Sequence, residues 1–247
     1  ISVSLSHGPH DLDAANAVTH AATRILGPDA SSPIVLPSPS RQDPLAHWTQ
    51  RLSDLGLKVV TGPVVGFRSA SQLRRQDSPT TVPMLWMPHV RRGSIEWPRN
   101  HSAEHIERNA ESEWMLLPNE PMVLLRRFSP KEDVRRVTAA AYLGDLPGEC
   151  IGCENHLNVI RGAHEPMSQA AARGLAAWLH SAEVDEHLRQ RLGSTQVNAV
   201  ELRALPMPGP VALNWLGLRL RERPSLDEID ALVATLRDPA SPAAQAA

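Results

Sequence analysis

Polar residues that can contact a ligand are concentrated in two groups. The first lies in residues 123–140, where an apolar run ends in Arg126-Arg127 and a turn leads to Lys131 and Arg135-Arg136. Cationic side chains in this spacing can bind successive phosphates of a nucleic acid, the contacts that supply affinity without sequence preference. The candidate phosphate-binding residues are therefore Arg126, Arg127, Lys131, Arg135 and Arg136.

The second group is rich in side-chain amides. It consists of residues 153–158, Cys-Glu-Asn-His-Leu-Asn, and residues 194–198, Ser-Thr-Gln-Val-Asn. An amide carries a donor and an acceptor on one rigid plane, which is the pairing that reads the edge of an adenine base. The same residue types also form turns and helix caps, so both interpretations stay open. The candidates for contact with bases, or for polar positions in the core, are Asn155, His156, Asn158, Thr195, Gln196 and Asn198.

The motifs favour neither a zinc site nor an autonomous catalytic centre. Cys150 and Cys153 have the spacing of half a structural zinc site, but His156 follows too closely and no second pair with suitable spacing comes after it. The chain has no P-loop, no Gly-x-Ser-x-Gly elbow and no His-Glu-x-x-His pair. We therefore expect neither a metal site nor catalytic residues in this chain.

Composition places the chain among ordinary globular proteins. Of its 247 residues, 42% are hydrophobic and 21% are charged, and no apolar run approaches the roughly 20 residues of a transmembrane helix. Two cysteines agree with a reducing compartment, so we expect a cytoplasmic protein with no membrane partner. The net charge of −2 does not indicate a nucleic-acid partner. However, arginines occur in pairs at 74–75, 91–92, 126–127 and 135–136, which either form a local basic face or lie on a solvated surface.

The pattern of apolar residues predicts an α+β fold, with a small mixed sheet and long loops followed by a helical subdomain. Residues 1–5 and 34–36 are strand-like segments. The stretch of residues 33–44 contains four prolines, which indicates a linker and a boundary near residue 40. Short apolar runs between residues 57 and 142 alternate with Pro and Gly and predict the strands of the sheet.

Helical spacing of apolar residues occurs in three further segments. Residues 44–55 match one face of a helix closed by Gly56, and residues 170–179 and 184–192 match two consecutive helices. Residues 238–247 are rich in Ala and Pro and are expected to form a frayed tail. The predicted helix caps are Ser181, Asn198 with Glu201, and Ser225 with Glu228.

Four blocks of the sequence resemble one protein family. They occur in the family's order and comprise residues 55–68, 123–140, 152–158, and 172–179 with 195–199. The most specific feature is Thr195-Gln-Val-Asn198 followed by Glu201-Leu-Arg203. The chain resembles the adenine-specific DNA methyltransferases of restriction-modification systems, in particular their C-terminal target-recognition region. The resemblance covers about residues 1–208.

The resemblance implies an enzyme in two parts. A catalytic domain binds S-adenosylmethionine and holds a flipped adenine at an Asn-Pro-Pro-Tyr-type motif, and the later region selects the DNA site; flipping is needed because the amine is inaccessible inside the base stack. This chain contains no Asn-Pro-Pro or Asp-Pro-Pro sequence, so we expect no cofactor in it and S-adenosylmethionine only in the complete enzyme. The implied domains are a catalytic remnant with linker (1–40), a target-recognition domain (41–208) and a helical tail (209–247).

Three hypotheses follow for the function. In the first, the chain recognises specific double-stranded DNA for an N6-adenine methyltransferase, and its other partner is the catalytic domain or subunit. In the second, the four blocks form the core of an interaction module that docks on a catalytic subunit without reading DNA. Arginine and the six tryptophans also suit a protein interface. An autonomous methyltransferase is a third hypothesis, but no cofactor-binding loop is visible in the sequence.

Overall fold

The computed structural model describes residues 1–3, 17–26, 43–130, 132–191 and 195–237. Its mixture of small sheets and a helical region confirms the predicted α+β class. The strands are β1 (Ser2–Val3), β2 (Val18–Thr19), β3 (Leu57–Thr61), β4 (Leu73–Arg74), β5 (Thr81–Leu85), β6 (Val90–Arg91), β7 (Ser94–Ile95), β8 (His105–Glu107), β9 (Leu116–Pro118), β10 (Pro121–Arg126), β11 (Ala139–Leu143), β12 (Cys150–Cys153) and β13 (Leu157–Gly162). The helices are α1 (Ala22–Leu26), α2 (Gln169–Leu179), α3 (Ala182–Arg191), α4 (Ala199–Ala204), α5 (Pro210–Arg219) and α6 (Leu226–Thr235).

The central element is a four-stranded antiparallel sheet in the order β11-β10-β13-β3. Its inner strands β10 and β13 are nearly continuous apolar runs, which is typical of strands buried on both faces. In the register, Leu124 of β10 lies opposite Ala140 of β11 on one side and Val159 of β13 on the other. The sheet therefore needs a covering layer on each face.

Two apolar cores lie on opposite faces of this sheet, because successive side chains of a strand point in opposite directions. Val123 and Leu125 of β10 belong to the core beneath the helices. Met122 and Leu124 belong to a second core, which they share with Ile151 of β12. The chain is thus built in three layers: helices, the four-stranded sheet, and a second sheet.

The second sheet has five strands in the order β4-β8-β5-β12-β9. It is mixed, since β5 and β12 are parallel while the other neighbours are antiparallel. Its outer face is covered by a third apolar cluster that includes Val64 and Met115. A small hairpin of β6 and β7 lies beside the two sheets, and β11 contacts it.

The helical layer begins with α2, which packs on β10 and β11. The chain turns after α2, and Ser181 Oγ accepts a hydrogen bond from the Val184 N–H at 3.3 Å at the start of α3. Ser225 Oγ accepts from the Glu228 N–H at 3.1 Å and begins α6. The predicted caps at Ser181 and Ser225 are therefore confirmed. Helices α5 and α6 pack into the same core as α2.

The predicted helix over residues 44–55 is wrong. Gln50 forms a β-bridge with Met207, whose N–H donates to the Gln50 carbonyl at 2.9 Å. This pairing with a segment that is distant in the sequence replaces the helical hydrogen bonds. Only Leu52–Leu55 form a turn of 3-10 helix, and Gly56 ends it with a φ of 67°, a conformation that glycine adopts without strain.

Several predicted segments lie outside the described residues. They are the strand at 34–36, most of the linker at 33–44 and the tail at 238–247. Near the start of the chain β1 pairs with β2 in antiparallel register. The described helices include none with the length and apolarity needed to cross a membrane.

Candidate nucleic-acid interface

Arg127 joins the two amide-rich segments of the sequence. Its Nη1 donates to the backbone carbonyl of Asn155 at 2.9 Å, and its Nη2 lies 3.3 Å from Oδ1 of Asn198. The planar guanidinium has donors in a fixed fork, so one side chain can hold two neighbouring segments. No ion pair joins Arg127 to a carboxylate among the described residues. Its positive charge is therefore not locally neutralised.

Backbone hydrogen bonds fix the three segments around Arg127. The Arg127 N–H donates to the His156 carbonyl and the Val197 N–H donates to the Arg127 carbonyl, each at 2.9 Å. The Ser129 N–H then donates to the Thr195 carbonyl at 3.1 Å. These bonds continue the ladder beyond the end of β10. They bring the two sequence groups to the same end of the four-stranded sheet.

Three side chains at this end of the sheet reach solvent. Phe128 is 36% exposed, and its ring meets that of His156 edge to face with centroids 5.5 Å apart. His156 Nδ1 lies 2.7 Å from Glu154 Oε1, and the second carboxylate oxygen of Glu154 accepts from the Met87 N–H at 2.9 Å. Glu154 therefore orients the His156 ring. Thr195 is exposed as well. We call the following group the Arg127 cluster: Arg126, Arg127, Phe128, Asn155, His156 and Thr195.

Arg126 lies next to further arginines. Its Nε donates to the Val90 carbonyl at 2.7 Å. Burial, followed by the charge of Arg91 and, more weakly, that of Arg99, lowers the pKa of Arg126, while Asp133 acts in the opposite direction. Glu96 pairs with Arg99 at 2.6 Å and with Arg91 at 3.4 Å. Three guanidiniums against the two carboxylates of Glu96 and Asp133 leave a net positive charge beside the Arg127 cluster.

Asn158 and Asn198 are structural polar residues in this conformation. Asn158 is fully buried, and its Nδ2 donates to the Val197 carbonyl at 2.8 Å, which matches the core-polar alternative. The Asn198 N–H donates to the Glu201 carboxylate at 2.9 Å at the start of α4, one of the two predicted capping bonds. Gln196 is half-buried and its backbone forms a β-bridge with Phe128. These three residues therefore fix the backbone segments that carry the Arg127 cluster.

The second arginine pair lies elsewhere. Arg135 donates from Nη2 to Asp230 Oδ2 of α6 at 2.5 Å. Arg136 is 3% exposed, and its Nη1 lies 3.3 Å from the Ser129 carbonyl. A buried, hydrogen-bonded guanidinium has no room for a phosphate, so the structure disfavours Arg136 as a phosphate contact and gives Arg135 an ion-pair role. Lys131 lies outside the described residues.

Two residues near the Arg127 cluster were not selected from the sequence. Phe67 is 80% exposed, and the Arg68 guanidinium lies 5.4 Å from its ring centroid. The Asn155 N–H donates to the Val64 carbonyl at 2.9 Å, which places this loop beside the cluster. The sequence feature that could have identified them is the aromatic-Arg pair itself, which lies between two turn segments in residues 55–68, the first block of the family resemblance. An exposed aromatic ring next to an arginine is suited to stacking on a nucleobase.

Both cysteines pack in or against the apolar clusters of the sheets. Cys153 is fully buried in the core between the two sheets, and burial raises the pKa of its thiol to about 12. Burial also raises the pKa of Cys150. Thiols with raised pKa values are protonated and inert near neutral pH. Among the described residues, no group of three His, Cys, Asp or Glu side chains is arranged to hold a metal ion.

Two curated relatives show what the sequence is similar to. Type II methyltransferase M.PstI of Providencia stuartii is 36% identical over 160 residues, which are 64% of this chain and 32% of the relative. Type II methyltransferase M.BsuBI of Bacillus subtilis is 38% identical over 168 residues, which are 67% of this chain and 34% of the relative. The chain spans about one third of the length of each. The predicted resemblance is thus confirmed at the level of type II methyltransferases.

Two other comparisons add less. No protein-family model matches the chain. A solved chain of a type I R-M system aligns with 85% of this chain and 45% of its own length, with a TM-score of 0.43 and 13% sequence identity. A TM-score this low supports no argument about fold or function.

Proposed function

We propose that this chain is the DNA-recognition part of an adenine-specific methyltransferase, and that it binds double-stranded DNA through the Arg127 cluster. The observation that carries the proposal is the convergence of five residues at one end of the sheet. Arg126 and Arg127 lie there beside Phe128, His156 and Thr195, whose side chains reach solvent. The similarity to one third of two type II methyltransferases supports the same direction.

The residues of the Arg127 cluster have different roles in the proposed DNA contact. Arg126, with Arg91 and Arg99 nearby, supplies positive charge that contacts backbone phosphates and positions the duplex. His156 and Thr195 present donors and acceptors to base edges, while the Phe128 ring supplies an apolar contact. Arg127 acts chiefly by holding Asn155 and Asn198 in place. Methyl transfer from S-adenosylmethionine to adenine N6 would be carried out by a catalytic part outside this chain.

The proposal is tested by fluorescence anisotropy with the 247-residue chain and a random-sequence duplex over a series of salt concentrations. Arg126→Gln removes one phosphate contact, so it should weaken binding and reduce the salt slope by about 1. Arg108→Gln is the matched control, because Arg108 pairs with Glu149 at the opposite end of β12 from Asn155. The proposal fails if the duplex does not bind at low salt, or if both variants have the same slope as the unaltered chain.

Base reading is tested separately by selecting bound sequences from a pool of duplexes. His156→Ala and Thr195→Ala should change the selected sequence, since each removes groups that face solvent at the cluster. An unchanged selected sequence would remove these residues from recognition. A chain that binds no duplex but forms a stable complex with a catalytic subunit would instead support the interaction-module hypothesis.

A further inference from the structure

A second accumulation of positive charge surrounds a cavity in the helical part of the chain. The cavity has a volume of about 270 Å³ and lies between the β6–β7 hairpin, helix α2 and the segment that joins α5 to α6. Its walls include the neutral side chains Ser94 and Tyr142. The arginines that line it come from all three elements: Arg92, Arg173, Arg221 and Arg223.

The charges of this cavity are not balanced within the described part of the chain. Asp145 and Glu222 are the carboxylates of the lining, against four guanidiniums. Among the described residues, Arg221 is the only one of these four arginines with an ion pair shorter than 4 Å, and its distance to Glu228 is long at 3.8 Å. By contrast, Arg161 and Arg191 elsewhere in the structure have acidic partners at 2.7 and 2.8 Å. Four positive charges around one cavity repel one another, and a bound anion would relieve that repulsion.

His180 adds a buried donor to the cavity wall. It is 1% exposed and lines the cavity, and its Nε2 accepts a hydrogen bond from the Ala139 N–H at 3.0 Å. Because Nε2 accepts, Nδ1 carries the proton of the neutral ring, and no described residue accepts a hydrogen bond from it. Burial, reinforced by Arg92 and Arg135, lowers the pKa of His180 to about 3, so the ring is neutral at physiological pH.

The volume of the cavity and its hydrogen-bond donors indicate which class of ligand it can bind. Guanidiniums match the oxygens of phosphate in bidentate geometry, and such charge-assisted hydrogen bonds are stronger than neutral ones. The volume lies below the roughly 300–1,000 Å³ of pockets for drug-sized ligands, which favours a small anion or one group of a larger molecule. We propose that the Arg92–Arg173–Arg223 cavity binds a phosphate group, supplied either by a small-molecule phosphate or by the backbone of DNA.

The first arm of the test uses inorganic phosphate and needs no DNA, so it is independent of the proposed function. The melting temperature of the 247-residue chain is measured against phosphate concentration, with chloride at the same ionic strength as reference. Phosphate should raise the melting temperature above the chloride reference. The double variant Arg173→Gln/Arg223→Gln should bind phosphate about tenfold more weakly or worse.

The control for this arm is the double variant Arg75→Gln/Arg108→Gln. It removes the same charge from two exposed arginines of the five-stranded sheet region, so it measures the non-specific effect of lost positive charge. It should bind phosphate as the unaltered chain does. All four substituted arginines are exposed, and circular dichroism checks that both double variants fold.

The second arm identifies the source of the phosphate by duplex binding over a salt series. A smaller salt slope for Arg173→Gln/Arg223→Gln than for the Arg75→Gln/Arg108→Gln control indicates a backbone phosphate of DNA. Weaker phosphate binding with an unchanged DNA slope indicates a small-molecule phosphate. The proposal is overturned if two results occur together. The first is that phosphate stabilises the chain no more than chloride does, or stabilises both double variants equally. The second is that both double variants have the same salt slope in duplex binding.

Discussion

Gly174 of α2 and Gly217 of α5 face each other where the two helices cross. A Cβ added to Gly174 would lie 1.9 Å from the Leu213 carbonyl oxygen, and one added to Gly217 would lie 1.9 Å from the Ala170 carbonyl oxygen. The two backbones are therefore in direct contact, and only glycine fits at either position. This crossing sets the position of Arg173 relative to the segment after α5, and so the shape of the basic cavity.

Replacement of Gly174 by Ala should destabilise the protein by about 2–4 kcal/mol, because the backbone carbonyl of a neighbouring helix cannot move aside cheaply. In an open helix the same change would stabilise by about 0.5–1 kcal/mol. The sign of the change in unfolding free energy, measured in urea, therefore distinguishes a close helix crossing from an open helix. Arg173→Ala, at the adjacent exposed position, is the control and should change stability little; a stabilised G174A would contradict the close crossing.

Asn158 is expected to act in stability and not in base reading. Asn158→Ala removes the donor to the Val197 carbonyl in a fully buried site, which should cost about 1–3 kcal/mol of unfolding free energy. Below its melting temperature the variant should select the same DNA sequence as the unaltered chain. Thr195→Ala, at an exposed position, should show the reverse behaviour. A changed sequence preference for N158A with unaltered stability would assign Asn158 to the DNA instead.

Local signals in the sequence predicted the helices after residue 165 well. A capping serine and a following apolar stripe are both contained within a few residues, so α3 and α6 could be located from Ser181 and Ser225. The layering could not, because the parallel pair β5–β12 joins residues about seventy positions apart. The failure at Gln50 has the same cause, since its partner Met207 is distant in the sequence.

The candidate site was predicted in part. The sequence placed Arg126 and Arg127 at the end of a strand and picked out the amide segments, and the structure brings these together around Arg127. The two arginine pairs looked equivalent in the sequence, however. Arg136 differs only because the Asp185 carboxylate of α3 accepts from its backbone N–H at 2.6 Å and the helical layer covers its side chain. That contact depends on tertiary packing.

The Arg135–Asp230 pair should contribute to stability without affecting DNA binding. Both side chains are partly buried, 15% and 30% exposed, and the pair ties the β10–β11 connection to α6. A double-mutant cycle with Arg135→Gln and Asp230→Asn should give a coupling energy of about 1 kcal/mol in urea unfolding. The salt slope of duplex binding should stay the same in R135Q. A reduced salt slope in R135Q would show that Arg135 does contact a phosphate.

His180 should make folding stability depend on pH. Its pKa is about 3 in the folded protein and 6.5 in the unfolded chain, so between these values the unfolded state binds the additional proton. Stability from this group is complete above pH 6.5 and falls as the pH decreases, by about 2 kcal/mol between pH 7 and pH 5. Other histidines with lowered pKa values, such as His89 and His187, act in the same direction, so a comparison with His180→Gln is required. In urea unfolding, the unfolding free energy of H180Q should fall less between pH 7 and pH 5 than that of the unaltered chain. Measurements at pH 8 give the change in unfolding free energy that the substitution causes independently of pH. Equal pH dependence in both proteins would mean that His180 becomes protonated within the folded state.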